Sequence, residues 1–133
     1  ITNLLVPGVT AAIHHSAAKV YYICNAATQR GEMELTDAAD YVTAIEEHSV
    51  KGLIHHILVN TGPVSQAGLQ RLAEAESQLV QCDVDALKAR GLQVSQGHFV
   101  SVTDPRLHDE EALHHFFTQE FRKEQMQEMI SSQ

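Results

Sequence analysis

A β-branched and aromatic run, Lys19 to Cys24, breaks without transition into the polar string Asn25-Ala26-Ala27-Thr28-Gln29-Arg30-Gly31-Glu32. The run reads as a buried strand. The break reads as a strand handing the chain to a polar loop at the edge of a sheet. Open α/β sheets bind ligands at the carboxyl ends of their strands. The loop from Asn25 to Glu32 is therefore a candidate small-molecule site. A plain connecting loop has the same pattern, and pattern alone favours it.

The rest of the chain alternates around this strand. Leu5, Val9, Ala12 and Ile13 fall on one helical face, with Pro7 in the first turn and Asn3 as a cap. Thr36-Asp37 starts a second helix whose stripe is Ala38, Tyr41, Val42 and Ile45, and Gly52 closes it. Leu53 to Val59 is the next strand, ended by the turn signal Asn60-Thr61-Gly62-Pro63. Asn60 thus follows its strand as Asn25 follows the first. A helix between the two strands favours parallel pairing through a crossover, which would bring both asparagines to one edge.

Val64 to Glu76 holds a helix with Leu69, Leu72 and Ala73 inward and Gly68 weakening its middle. Gln78 to Cys82 reads as a short strand and Val84 to Arg90 as a helix stopped by Gly91. Gln93 to Val102 is strand-like, interrupted at Gln96-Gly97. Asp109 caps a last helix striped by Leu113, Phe116, Phe117 and Phe121, and the sequence turns polar beyond Arg122. This alternation predicts an α/β fold with a mainly parallel sheet and helices on both faces. Residues 1–133 read as a single α/β segment.

Composition narrows the function classes. The charge of −8, from 17 acids against 9 lysines and arginines, disfavours a phosphate-backbone partner, so no nucleic acid is expected. An anionic ligand would need local help from backbone amides and helix N-termini. Two cysteines, Cys24 and Cys82, form no C-x-x-C pair, and no long apolar run or secretory signal occurs. A cytoplasmic protein without a membrane span fits this pattern. The chain starts at Ile1 without an initiator Met and reads as trimmed. Its unpaired sheet edge and apolar helix faces predict association with itself or with more chain.

Six of the nine histidines are sequence neighbours, at 14–15, 55–56 and 114–115. Neighbours diverge by roughly 100° on a helix and face oppositely on a strand, so they do not chelate. No H-E-x-x-H, zinc spacing, G-x-S-x-G, G-x-G-x-x-G or P-loop occurs. No catalytic residue and no metal ligand is assigned. Magnesium held on a ligand phosphate would leave almost no trace in sequence. The remaining candidates are Asn25, Thr28, Gln29, Glu32, Asp40, Asn60 and Asp83. Their amides and hydroxyls suit a ribose, a base edge or a sugar hydroxyl; the acids have the plainer reading of solvated surface carboxylates.

The strings "NLLVPGV", "YYICNAATQRGE", "TDAADYV" and "LVN" resemble the bacterial gluconeogenesis factor family, related to 2-phospho-L-lactate transferase. The resemblance covers most of the chain, and "CN-x-x-TQ-x-GE" is its specific part. "RLHDEEAL" is similar to the family's Arg-His-Asp segment before its final helix. The resemblance implies a Rossmann-like, three-layer α/β domain, here lacking its N-terminal half with the glycine-rich nucleotide loop. It implies a nucleotide sugar of the UDP-N-acetylglucosamine type and a regulatory role in gluconeogenic growth and cell shape. The transferase branch implies instead a lactyl-phospho-guanosine donor, a deazaflavin acceptor and magnesium, so the chain's status as an enzyme stays open. Position by position, the family's ligand-binding residues fall on Asn3, Asn25, Thr28, Gln29, Glu32, Asp40 and Asn60. Ala26-Ala27, Met33 and Tyr41 depart from the family pattern, at the loop and the following helix.

Overall fold

The structure, a computed structural model, describes residues 2–30 and 35–133. After a 3-10 turn (Thr2–Leu5) come α1 (Val9–His15), β1 (Tyr21–Ile23), α2 (Ala38–Glu47), β2 (His56–Asn60), α3 (Gln66–Glu74), α4 (Val84–Ala89), β3 (Gln93–Gly97) and α5 (Glu110–Ser131). The strands form one parallel sheet in the order β1-β2-β3, with Tyr21 opposite His56 and His56 opposite Gln93. β2 is central and is buried along His56 to Val59, as expected for a parallel strand covered on both sides.

Alternation along the strands divides the core. Ile57 and Val59 face one side, where they pack with Cys24, Ala38 and Val42 of α2 and Leu87 of α4. Tyr21 and His56 face the other, against Phe116 and Phe117 of α5, with ring centroids 5.0–6.4 Å apart. The result is helix, sheet, helix. Short polar side chains start the helices. Asp37 and Asp40 make a reciprocal capping box on α2, and Ser65, Asp83 and Asp109 cap α3, α4 and α5.

Several expectations need correction. Gln78–Cys82 is not a strand of the sheet. It makes only single bridges, Leu79 to Ala27 and Gln81 to Asp37, because its amides reach the loop after β1 and the start of α2: Val80 N–H donates to the Ala26 carbonyl at 2.9 Å, and Gln81 N–H to that of Thr36 at 2.8 Å. The strand expected to run to Val102 stops at Gly97, because the chain folds back so that Val100 bridges His108. α1 begins at Val9, after a left-handed Gly8, so Pro7 lies in the turn before it and Asn3 in the 3-10 turn. In α3, Leu72 is buried but Leu69 is 43% exposed, and Gly68 takes the inward position. α5 stays helical well past Arg122, with Met126, Met129 and Ile130 exposed.

Candidate functional site

The loop after β1 is fixed from behind. Ala26 and Ala27 are buried, and their small side chains let the 77–80 segment lie close. Thr28 N–H donates to the Gln78 carbonyl at 2.9 Å, and Gln78 N–H returns to the Thr28 hydroxyl at 3.1 Å. The Ser77 hydroxyl donates to the Thr28 carbonyl. Glu76 adopts φ +52°, a left-handed conformation uncommon for a side-chain-bearing residue, and so turns the chain from α3 toward Thr28. With the backbone held this way, Asn25 is half-buried and Gln29 exposed. Their amides bond to no other described residue.

The opposite wall comes from residues 99–109. Asp109 N–H donates to the Phe99 carbonyl and Ser101 N–H to that of Leu107, each at 2.8 Å. Between these rungs Asp104-Pro105 makes a buried turn, with Leu107 N–H on the Asp104 carbonyl at 3.0 Å. This hairpin-like return carries Arg106 and His108 to the cleft. The Asp104 carboxylate, in a residue only 6% exposed, accepts from Arg106 Nε at 2.8 Å and Nη2 at 2.7 Å. Arg71 Nη1 of α3 stands 3.8 Å from the same group. The Arg106 hydrogen bonds hold the Asp104 carboxyl down at about 2.

The two walls enclose a cleft of about 250 Å³ lined by Asn25 to Arg30, Ala75, Ser77, Pro105, Arg106 and His108. Amides and a hydroxyl stand on one side, a guanidinium and an imidazole on the other. Arg30 reaches Glu76 at 3.1 Å, both side chains largely in solvent. Among the described residues the lining holds no carboxylate, in a chain whose formal charge is −8. The local chemistry thus favours an anionic ligand with polar edges.

The expected site residues divide. Asn25, Thr28 and Gln29 line the cleft. Thr28 is buried, and its hydroxyl already serves Gln78. Asn60 does follow a strand parallel to β1, but it is not in the cleft lining; its amide oxygen accepts the Phe99 N–H at 2.8 Å. Asp40 is exposed and accepts the Asp37 N–H at 3.2 Å in the capping box of α2. Asn3 is exposed, and Glu32 lies outside the described residues. Spacing and composition did not single out Ser77, Arg106 or His108. The "RLHD" string held the signal for the last two, but only through resemblance.

Among the described residues no group of three or more His, Cys, Asp or Glu side chains converges on a metal position, and the cleft presents cations instead. No described helix is long and apolar enough to cross a membrane.

Comparison with known proteins agrees with this fold. The model of the 2-phospho-L-lactate transferase CofD family matches residues 1–100. The gluconeogenesis factor of Halalkalibacterium halodurans is 38% identical over 104 residues, 78% of this chain and 32% of that protein. The gluconeogenesis factor of Bacillus subtilis is 39% identical over 102 residues, 76% of this chain and 32% of that protein. A crystal structure of a UPF0052 family protein from Bacillus halodurans superposes with a TM-score of 0.74 at 37% identity, covering 80% of this chain and 34% of that one. The chain thus spans about a third of the length of the curated relatives it matches. With its parallel α/β sheet and this extent of matching, the chain belongs to the 2-phospho-L-lactate transferase CofD family and is similar, within it, to bacterial gluconeogenesis factors.

Proposed function

We propose that this chain forms part of a nucleotide-sugar site, of the UDP-N-acetylglucosamine type, in a cytoplasmic regulator of gluconeogenic growth and cell shape. The observation that carries the reading is the cleft itself. At the carboxyl end of β1, two amide side chains without a described protein partner share with a guanidinium a cleft of about 250 Å³, room for part of such a ligand. Asn25 and Gln29 would pair with a base edge or sugar hydroxyls, and Arg106 with a phosphate. The names of the relatives support the gluconeogenic setting. Calorimetry of the full-length protein with UDP-N-acetylglucosamine tests it. Saturable binding, weakened by Asn25→Ala and Gln29→Ala, is expected; no heat from folded protein would refute the reading.

The family description supports a second reading, a transferase using a nucleotide-linked donor and magnesium. Turnover of lactyl-phospho-guanosine with a deazaflavin acceptor would establish it. Absence of turnover, with nucleotide-sugar binding intact, would leave the regulator.

A further inference from the structure

The Asp104–Arg106 pair does more than close a turn. A guanidinium has five N–H donors in a fixed fork. Asp104 takes the Nε donor and one Nη2 donor, at 2.8 and 2.7 Å. Of the remaining three, one on Nη2 and one on Nη1 form the outer, end-on edge of the group. That edge matches two oxygens of one phosphate. Arg106 is 44% exposed at its side chain while the Asp104 side chain is 8% exposed, so the carboxylate sits behind and the guanidinium in front. Arg106 also lines a neighbouring recess with Gln70, Arg71 and Glu74.

We propose that Asp104 is a positioning residue for the nucleotide-sugar site: it locks the Arg106 guanidinium with its outer edge toward the cleft, ready to grip a phosphate group. This rests on the function proposed above and adds the source of its phosphate recognition. A free arginine side chain loses rotamer freedom when it grips a ligand; one already held by a buried carboxylate loses less. Asp104 also cancels one positive charge, and Arg71 beside it restores the balance, with two guanidinium groups around one carboxylate. Asp104 itself would not touch the ligand.

The test uses full-length protein and two probes, inorganic pyrophosphate and UDP-N-acetylglucosamine. Affinities are measured for the wild type, Asp104→Asn, Arg106→Lys and the double variant. Asp104→Asn is expected to weaken binding by about tenfold. Arg106→Lys keeps the charge but loses the fork, and should weaken it at least as much. The double variant should bind no worse than Arg106→Lys, because Asp104 acts only through Arg106. A merely structural role would give additive losses, and that result overturns the proposal. So does an Asp104→Asn affinity within twofold of wild type.

Should Asp104→Asn fail to fold, the wild type supplies the answer by nitrogen-15 NMR. The Arg106 Nε–H signal, assigned by its loss in Arg106→Lys, should be protected from exchange and should shift as the probe saturates; a signal that exchanges freely or does not move overturns the proposal. If pyrophosphate binds in an Asp104-dependent way but the nucleotide sugar does not bind, the positioning role survives and the nucleotide-sugar reading falls. If neither probe binds, both fall.

Discussion

Gly68→Ala should destabilise the protein, although helix propensity alone predicts the reverse. Gly68 lies inside α3, where alanine is more favourable than glycine by about 1 kcal/mol. The tertiary surroundings oppose that gain. A Cβ at this position would stand 2.8 Å from Val64 Cγ1, 2.9 Å from the Val102 carbonyl oxygen and 3.3 Å from Pro105 Cδ. The Val64 methyl can rotate away. The Val102 carbonyl cannot easily move, because it accepts the Ser65 hydroxyl at 2.7 Å and Ser65 caps the same helix. Overpacking against such a fixed group costs about 3 kcal/mol, the upper end of the usual range. The net expectation is a loss of about 2 kcal/mol, the difference between these two effects. Urea unfolding followed by circular dichroism reads it as a lower midpoint at unchanged slope. Ala73→Gly, at an exposed position of the same helix, is the control and should cost about 1 kcal/mol through propensity alone. A Gly68→Ala protein with a raised midpoint would refute the reasoning.

Three further outcomes are expected. His56 is 6% exposed, and burial lowers its pKa from 6.5, helped by Lys19 and opposed by Glu120. Its contribution to stability is fully present above pH 6.5 and is lost as pH falls from there toward the lowered folded value, so the urea midpoint should drop over that interval in wild type and less in His56→Gln. Burial pushes the Cys24 thiol up to about 12, so a thiolate-directed reagent should label half-buried Cys82 well before Cys24 in native protein; equal labelling rates would contradict the packing. Asn60→Ala removes the acceptor for the Phe99 N–H and should cost about 1–3 kcal/mol, while Asn60→Asp, which keeps an acceptor, should cost less. Nucleotide-sugar affinity should change less in Asn60→Ala than in Asn25→Ala, and the opposite order would place Asn60 in the site.

Much of the scaffold was readable locally. The apolar run from Leu53 to Val59 announced a covered strand, and β2 is the centre of the sheet. The stripe of Ala38, Tyr41 and Val42 is the buried face of α2, and Asp109 caps α5 as its position before an apolar run suggested. A helix between two strands implied parallel pairing, which β1 and β2 show. These features depend on periodicity and capping, which act over a few residues. Leu69 and Gly68 exchanged their expected places because a glycine was needed where the Val102 carbonyl comes close. Gln78–Cys82 has the composition of a strand but lies as a strap between two other segments, so its partners could not be inferred from its own residues.

Sequence alone determined the alternation of helices and strands everywhere but at Gln78–Cys82, the parallel sense of the sheet and the polar loop at the end of β1. These follow from side-chain periodicity and from the reach of the connecting segments. Tertiary structure alone decided which groups face that loop. Arg106 and His108 arrive there because the hairpin-like return from Phe99 to Asp109 carries them back, and Asn60 stays out because its amide holds that return in place through Phe99. The physical reason is that a binding cleft is made by contacts between distant segments, while local propensities specify only the segments themselves.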